Sequence, residues 1–330
     1  MRSKVLMVFG AVLAVVFWAV PPASAGAPIS VKVGHVNPPG DPSYDAWEVF
    51  KKILEEKSGG RFKVDLYPAG QLGNDERELI EQAKMGSLDL VSVNSAPVSL
   101  YYPKFDIFVL PYLWKDEPHL WRFCDGPIGQ QLAVDLEKAA NLKLLAYWAN
   151  GIRHMFLPKK AINTPDDFKG VRVRVMNNEV YIGLFNALGA MPTPMAYGEV
   201  YTALSTGVID AAENDTSGYL AMKFYEPAKY FSMTSHVVAI KIVLANPAFL
   251  QKIPPDLRPV FDQAIKESRD WQRNRYAEKQ KMDLEWMKAN KIQVNEVKDL
   301  SAFQAKVKPL WDKYAPKIGQ DLINQALATK

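Results

Sequence analysis

The chain has 330 residues, 48% of them apolar, which is enough to bury a substantial core in one or two domains. Its formal net charge is +4, and two of the positive charges, Arg2 and Lys4, lie at the start of the chain. The remainder is close to balanced, which argues against the strongly basic surface of a nucleic-acid-binding protein.

Residues 1–25 have the three parts of a secretory signal peptide. The basic start is followed by an apolar run at 5–20, two prolines and the small-x-small sequence Ala23-Ser24-Ala25. An uncleaved membrane anchor is the alternative, but a spanning helix needs roughly 20 apolar residues and this run is shorter. We therefore predict cleavage after Ala25 and a soluble, exported mature protein.

Strand and helix patterns alternate through the next part of the chain. We predict strands at 29–36, at 62–66 and from 88 onward, with helices at 43–57 and 74–84. This order is typical of a parallel, wound sheet, in which ligands bind beyond the carboxyl ends of the strands. His35, Asp75 and Asn94 fall near those ends. Ordinary loop or helix-cap roles are the alternative interpretation of His35 and Asp75.

The second half of the chain adds more helices and one long one. We predict helices at 127–140, 178–189, 300–314 and 316–327, a strand at 142–148, and a helix that starts at Asn246-Pro247. From 255 to about 290 the pattern is helical with no internal glycine. At ~1.5 Å per residue such a helix is roughly 50 Å long, which exceeds one small domain.

A strand at 171–175 carries two arginines. Val171, Val173 and Val175 alternate with Arg172 and Arg174, so the valines face a core and both arginines face the other way. Two like charges on a buried face are costly unless an anion or a cleft receives them. A planar guanidinium pairs bidentately with a carboxylate, which makes this a candidate carboxylate fork. Solvent exposure or a salt bridge is the alternative.

Motifs for catalysis are absent from the sequence. The four histidines are far apart, and there is no His-Glu-x-x-His, Gly-x-Ser-x-Gly or phosphate-loop motif. Cys124 is the single cysteine, which rules out an internal disulfide and cysteine-based zinc sites, and we interpret it as a buried apolar residue. We predict no catalytic residue, metal or cofactor. Triads are defined by geometry rather than order, so that alternative stays open.

Four motifs occur in order at fitting spacing between residues 170 and 214. They are Gly-x-x-x-Arg-Val at 170–175, Leu-Gly-Ala-x-Pro-Thr-Pro-Met at 188–195, Glu-Val-Tyr-x-Ala-Leu-x-Thr-Gly-x-x-Asp at 199–210, and Glu-Asn at 213–214. Further matches lie at 70–73, 86–90 and 110–112. With these motifs the chain resembles the substrate-binding proteins of TRAP transporters, the DctP-like family, over most of its mature length.

The resemblance implies a fold and a division into lobes. The expected fold is α/β, a two-lobed periplasmic binding protein of type II-like architecture, with hinge strands and a long helix that spans both lobes. Lobe I would comprise 26–150 plus about 237–280, and lobe II 151–236 plus about 281–330.

The resemblance also implies ligand-binding residues. Arg174 matches the strand arginine that forms the main salt bridge to the ligand carboxylate, and Arg153 matches a second arginine that contacts ligand. Asn214 matches an asparagine on the opposing loop. Tyr197 stands where an aromatic ring packs on the ligand, and Asn94 at a variable position that helps select the substrate.

Three other positions complete the expected site. Asp75 and His35 lie near positions that touch ligand in the family, and Asn150 adds a neutral polar group. Arg172 has no counterpart in the pattern, so its interpretation as a surface or hinge charge stands. The chain departs from many relatives at Ala211-Ala212, where they have Gly-Gln or Gly-Ala.

The implied function is that of a periplasmic solute-binding protein. It would capture an organic acid, close over it, and deliver it as a monomer to a small and a large TRAP membrane subunit. A secreted hydrolase and a sensory adaptor are the alternatives from other classes.

The expected ligand is a sugar acid such as a uronate or aldonate, and the alternative is a C4-dicarboxylate. Asparagine amides dominate the expected lining, and the sequence offers no evident third cation beyond Arg153 and Arg174 for a second carboxylate. His35, or a lysine that the pattern does not place, could supply that charge.

Overall fold

The computed structural model describes residues 27–330, so the predicted signal peptide and its cleavage site lie outside the described residues. The first elements are β1 (Ile29–His35), α1 (Pro42–Lys57), β2 (Phe62–Tyr67), α2 (Glu76–Met85) and β3 (Leu90–Asn94). β1 pairs in parallel with both β2 and β3, which confirms the predicted wound arrangement.

Side-chain caps explain where the first two helices begin. Asp41 accepts a hydrogen bond from the Ser43 backbone N–H at 2.7 Å, and Asp75 accepts one from the Arg77 N–H at 2.9 Å. Each carboxylate satisfies a backbone donor that has no partner within the helix. Both caps follow the carboxyl end of a strand, so helix starts and strand ends meet at one edge of the sheet.

The remaining elements follow in chain order. They are α3 (Ser95–Val98), a 3₁₀ helix (Pro103–Val109), α4 (Glu117–Asp125), α5 (Pro127–Ala140), β4 (Lys143–Leu157), a 3₁₀ helix (Pro165–Phe168), β5 (Arg172–Val175), α6 (Glu179–Ala187), β6 (Met191–Pro194), a 3₁₀ helix (Tyr197–Glu199), α7 (Val200–Thr206), β7 (Ala212–Asn214), α8 (Thr216–Ala221), β8 (Tyr230–Ala245), α9 (Pro247–Gln251), α10 (Arg258–Ala289), β9 (Gln293–Glu296), α11 (Ser301–Ile318) and α12 (Gln320–Ala328).

The strands form a mixed sheet rather than a purely parallel one. Over residues 27–330 the main sheet has the order β2-β1-β3-β8-β4-β7, with β9 also pairing with β8, and β5 and β6 form a small parallel sheet. β8 is antiparallel to both β3 and β4.

The pattern search missed the central strand β8. Residues 237–245 are all buried, so they show no alternation of apolar and polar residues. A strand covered on both faces has no period of two to detect. β4 is also longer than the predicted 142–148, because its second half is equally buried.

Three long elements connect two lobes. β4 and β8 have 15 and 16 residues, and their ladder is irregular between Ala149 and Ile152, where Gly151 takes a positive φ of 69°. The third, α10, has 32 residues and packs Phe261 against Phe50 of α1 at a centroid distance of 5.9 Å. Its other end buries Met287 in the apolar cluster that contains Tyr219 of α8. The expected two-lobed fold with a helix spanning both lobes is confirmed.

The lobe boundaries given by residue number stay a prediction. Those near 150, 237 and 280 fall inside β4, β8 and α10, the elements that run between the lobes. Cys124 is buried in the core, as expected. Within residues 27–330, no helix is long and apolar enough to cross a membrane.

Candidate ligand-binding cleft

A cavity of about 660 Å³ lies where several strand ends and helix starts converge. Its polar lining includes Asn37, Asp41, Asn74, Asp75, Glu76, Arg77, Asn94, Asn150, Arg153, Arg174, Asn177, Tyr197, Asn214, Asp215 and Lys241. Seven of the eight residues predicted from the sequence are among them. The exception is His35.

Arg174 is a buried guanidinium without a carboxylate partner. It lies on β5 and donates to the Met195 carbonyl from Nε at 3.0 Å and from Nη2 at 2.7 Å. Its guanidinium carbon lies 5.9 Å from the centre of the Tyr197 ring. The described residues 27–330 give it no ion-pair partner, whereas Arg153 and Arg172 each have one. A buried cation of this kind is stabilised when an anion enters the cavity.

Arg172 shows the contrasting arrangement two residues earlier on the same strand. Its Nη2 lies 2.7 Å from Asp210 Oδ1, and both side chains are about two-fifths exposed. This is a surface salt bridge, which is what the alternative interpretation predicted for Arg172. The strand therefore holds one arginine at the surface and one in the cleft.

Arg153 forms a buried ion pair with Glu213 and also lines the cavity. Its Nη2 donates to Glu213 Oε1 at 2.8 Å, and His236 Nε2 lies 3.4 Å from Glu213 Oε2. Burial alone would raise the pKa of Glu213, but the attraction of Arg153 and the hydrogen bond with His236 outweigh it and hold the pKa at about 2. The positive charge of Arg153 is thus already matched within the protein.

Asn214 and Tyr197 form one side of the cavity. Asn214 Nδ2 donates to the Tyr197 hydroxyl at 3.0 Å, and Asn214 Oδ1 accepts from the Asp215 N–H at 3.0 Å. Behind them, Tyr276 donates from its hydroxyl to Asp215 at 2.8 Å. Burial, and next the Asp41 carboxylate, raise the pKa of Asp215 to about 7.

The opposite side of the cavity is a network of two amides and an ion pair. Asn150 donates to Asn94, and Asn94 Nδ2 donates to Glu76 Oε1 at 3.0 Å and Oε2 at 2.8 Å. Lys241 Nζ lies 3.3 Å from Glu76 Oε1. β3 and β8 place Asn94 and Lys241 directly opposite each other in the ladder.

The expectation that the cleft holds no third cation is wrong. Lys241 and Arg77 both line it, each already paired with a carboxylate: Glu76 for Lys241, and Asp75 for Arg77 at 3.0 Å. The sequence did contain a signal for Lys241, since it is the one charged residue in the apolar run 237–245. A charge in a buried strand needs a partner, and a partner 165 residues away cannot be identified from spacing.

The structure corrects the expectation for His35 and supports the placement of Asp75. His35 is fully buried, outside the cavity lining, and within residues 27–330 neither ring nitrogen has a hydrogen-bond partner. Burial, and next the charge of Lys241, lower the pKa of His35 to about 3, so it cannot supply a positive charge near neutral pH. Asp75 lines the cavity as the cap of α2, where its hydrogen bonds to Arg77 outweigh burial and lower its pKa.

Two α/β lobes joined by long strands, with a buried arginine facing a polar cavity, define a binding protein for a small anion. Residues 33–317 match the family model described as bacterial extracellular solute-binding protein, family 7, DctP. The chain belongs to this family, that of the TRAP periplasmic solute-binding proteins. Proteins of the family bind small organic acids and work with membrane subunits.

Individual relatives are similar over nearly their whole length. A solute-binding protein of Chromohalobacter salexigens is 36% identical over 285 residues, covering 85% of this chain and 83% of the relative. A TRAP protein of Roseobacter denitrificans, solved with β-D-glucuronate, has a TM-score of 0.86 and 30% identity, covering 91% of this chain and 100% of that one. One from Sulfurospirillum deleyianum, solved with succinate, has a TM-score of 0.88 and 29% identity, covering 92% and 100%.

Proposed function

We propose that this protein captures a sugar acid with one carboxylate, a uronate or aldonate, and delivers it to the small and large membrane subunits of a TRAP transporter. The observation that carries the proposal is Arg174, a buried guanidinium that faces the cleft with no carboxylate partner among residues 27–330. A ligand carboxylate would fill that role through bidentate hydrogen bonds. Arg153, Asn214 and Tyr197 border the same region of the cavity.

The choice of a sugar acid rests on the rest of the lining. Asn94, Asn150 and Asn214 offer amides, each of which can both donate and accept, as ligand hydroxyls require. Six carboxylates also line the cavity, namely Asp41, Asp75, Glu76, Glu78, Glu199 and Asp215. A second ligand carboxylate among them would be repelled unless a cation were available. The glucuronate-bound and succinate-bound relatives represent the two ligand classes in question.

A C4-dicarboxylate is the second candidate, and the position of Lys241 on the lining is the observation that favours it.

We further propose that the protein is a periplasmic monomer without catalytic activity, and that it is released by cleavage after Ala25. Intact mass of the exported protein and light scattering of the purified protein test the cleavage site and the monomer.

The test of function is a binding panel of uronates, aldonates and C4-dicarboxylates at one pH. A ligand at 100 times its dissociation constant adds about 2.7 kcal/mol to the free energy of unfolding, so a thermal shift identifies binders before calorimetry measures affinity. Tighter binding of any dicarboxylate than of every sugar acid would contradict the ligand class. Binding of none of these acids would contradict carboxylate capture.

A further inference from the structure

Lys241 and Glu76 form an ion pair on the cavity wall made by α2, β3 and β8. The Lys241 side chain is 1% exposed and the Glu76 side chain 9%. The pair is held from two directions, since Asn94 donates to both carboxylate oxygens and Glu76 is the first residue of α2, where a helix stabilises negative charge. Its geometry is therefore fixed before any ligand arrives.

The pair determines what this wall can offer a ligand. Lys241 would be attractive to a carboxylate, but Glu76 already compensates its charge. Glu76 itself can only accept hydrogen bonds, and its neighbour Asp75 is also a carboxylate. The wall therefore offers acceptors to ligand hydroxyls and no uncompensated cation to a ligand carboxylate.

We propose that Glu76 is the residue that sets ligand specificity, through its pairing with Lys241. It accepts hydroxyl hydrogens of a polyhydroxylated monocarboxylate and prevents Lys241 from binding the second carboxylate of the diacid with the same carbon skeleton. This inference rests on the proposed function, because it requires the ligand's first carboxylate to be bound at Arg174.

The experiment compares a sugar acid with the diacid formed by oxidising its far end. The sugar acid is the uronate or aldonate that the wild-type protein binds most tightly; gluconate with glucarate is one such pair. Dissociation constants of both ligands are measured by calorimetry for the wild type, Glu76→Gln and the double variant Glu76→Gln/Lys241→Met. Glu76→Gln keeps the size of the side chain and removes its charge.

We expect the wild type to bind the monoacid at least tenfold more tightly than the diacid. Glu76→Gln should reduce this preference tenfold or more, because Lys241 is then available to the second carboxylate. The double variant should lose that gain in diacid binding. It also replaces a buried ion pair by neutral groups, so it provides a folded comparison if Glu76→Gln, with its unpaired lysine, is unstable.

Glu81→Gln is the matched control, with the same chemical change on the same helix, where the side chain is 47% exposed and outside the cavity lining. Its preference should equal that of the wild type. Two results would overturn this inference alone. One is a Glu76→Gln variant whose preference for the monoacid over the diacid stays within twofold of the wild type. The other is a gain in diacid affinity that persists in the double variant, which lacks Lys241. Failure of the wild type to bind any acid, or full binding by Arg174→Ala, would overturn the proposed function instead.

Discussion

The two walls of the cleft treat buried charge differently. On the wall that carries β5, Arg174 donates to a backbone carbonyl and lies beside an aromatic ring, and residues 27–330 give it no ion-pair partner. On the wall that carries α2 and β8, Lys241 has a carboxylate partner held by an amide. Both cations are almost fully buried, but only the first leaves a charge for a ligand to neutralise. The comparison teaches that the cations lining a cavity predict the charge of its ligand only when those already paired with a carboxylate of the protein are left out of the count.

The largest expected effect comes from breaking the buried Arg153–Glu213 pair. Glu213→Gln leaves the buried Arg153 without its counter-charge and should lower the free energy of unfolding by about 3–5 kcal/mol. Asp210→Asn breaks the exposed pair with Arg172 and should lower the free energy of unfolding far less, because water screens a surface pair. Urea unfolding of both variants measures the difference. Similar losses would show that burial does not distinguish the two pairs.

Arg174→Ala tests the charge that has no internal partner. Removing one member of a buried, hydrogen-bonded charge pair costs about 2–5 kcal/mol, which is roughly 30-fold to several-thousand-fold in affinity. Arg172→Ala should leave affinity nearly unchanged, because its charge belongs to the surface. Lysine at 174 should restore binding only partly, since it lacks the planar fork. Calorimetry with the best ligand of the panel measures the affinity of each variant. Equal losses of affinity at positions 172 and 174 would contradict the assignment of the ligand carboxylate to Arg174.

Asn94→Ala sharpens the comparison on the second wall. It removes the amide that donates to Glu76 and that can also bond to ligand hydroxyls. A buried polar group that loses its hydrogen-bond partner in this way costs about 1–3 kcal/mol. Sugar-acid affinity should fall by that amount, while a short monocarboxylate such as lactate, bound mainly by Arg174, should lose less. An equal loss for both ligands in a titration series would contradict the division of labour between the walls.

Asp215 gives the cleft a dependence on pH. Its pKa of about 7 in the folded protein exceeds the value of about 3.9 expected in the unfolded chain. The folded protein therefore holds a proton that the unfolded chain has lost, so this group lowers stability as pH rises from about 4 to 7. Asp215→Asn keeps the cap of α8 and should remove this contribution, at most about 1.4 kcal/mol per pH unit. The stability difference between variant and wild type, measured from pH 4 to 8, should grow with pH; a constant difference would refute the assignment.

Sequence patterns predicted the outer elements well and the central ones poorly. Half-buried strands such as β1 show alternation, and α1 and α2 carry caps and glycine stops that can be read locally. β8 is buried on both faces and shows neither. The outer strands therefore revealed the fold class, while the central strand became visible only in the structure.

The site follows the same rule. Arg174 and Asn214 stand within motifs of fixed spacing and Tyr197 stands between two of them, and the structure brings all three to one cavity. Glu76 and Lys241 are joined across 165 residues, a contact that no local pattern encodes. His35 is the last residue of strand β1, but the direction of its side chain is set by packing that the sequence does not reveal.

The position of β8 also governs the order in which the protein can fold. β3 ends at residue 94, yet its neighbour in the sheet ends at residue 245 of a 330-residue chain. Non-local strand pairing of this kind slows folding, because the entropy of closing a long loop must be lost before the contacts form. During synthesis β3 and β4 cannot be joined through β8 until residue 245 has left the ribosome, and β9 adds to β8 later still. The main sheet is therefore completed only late in translation, long after its first three strands have been made.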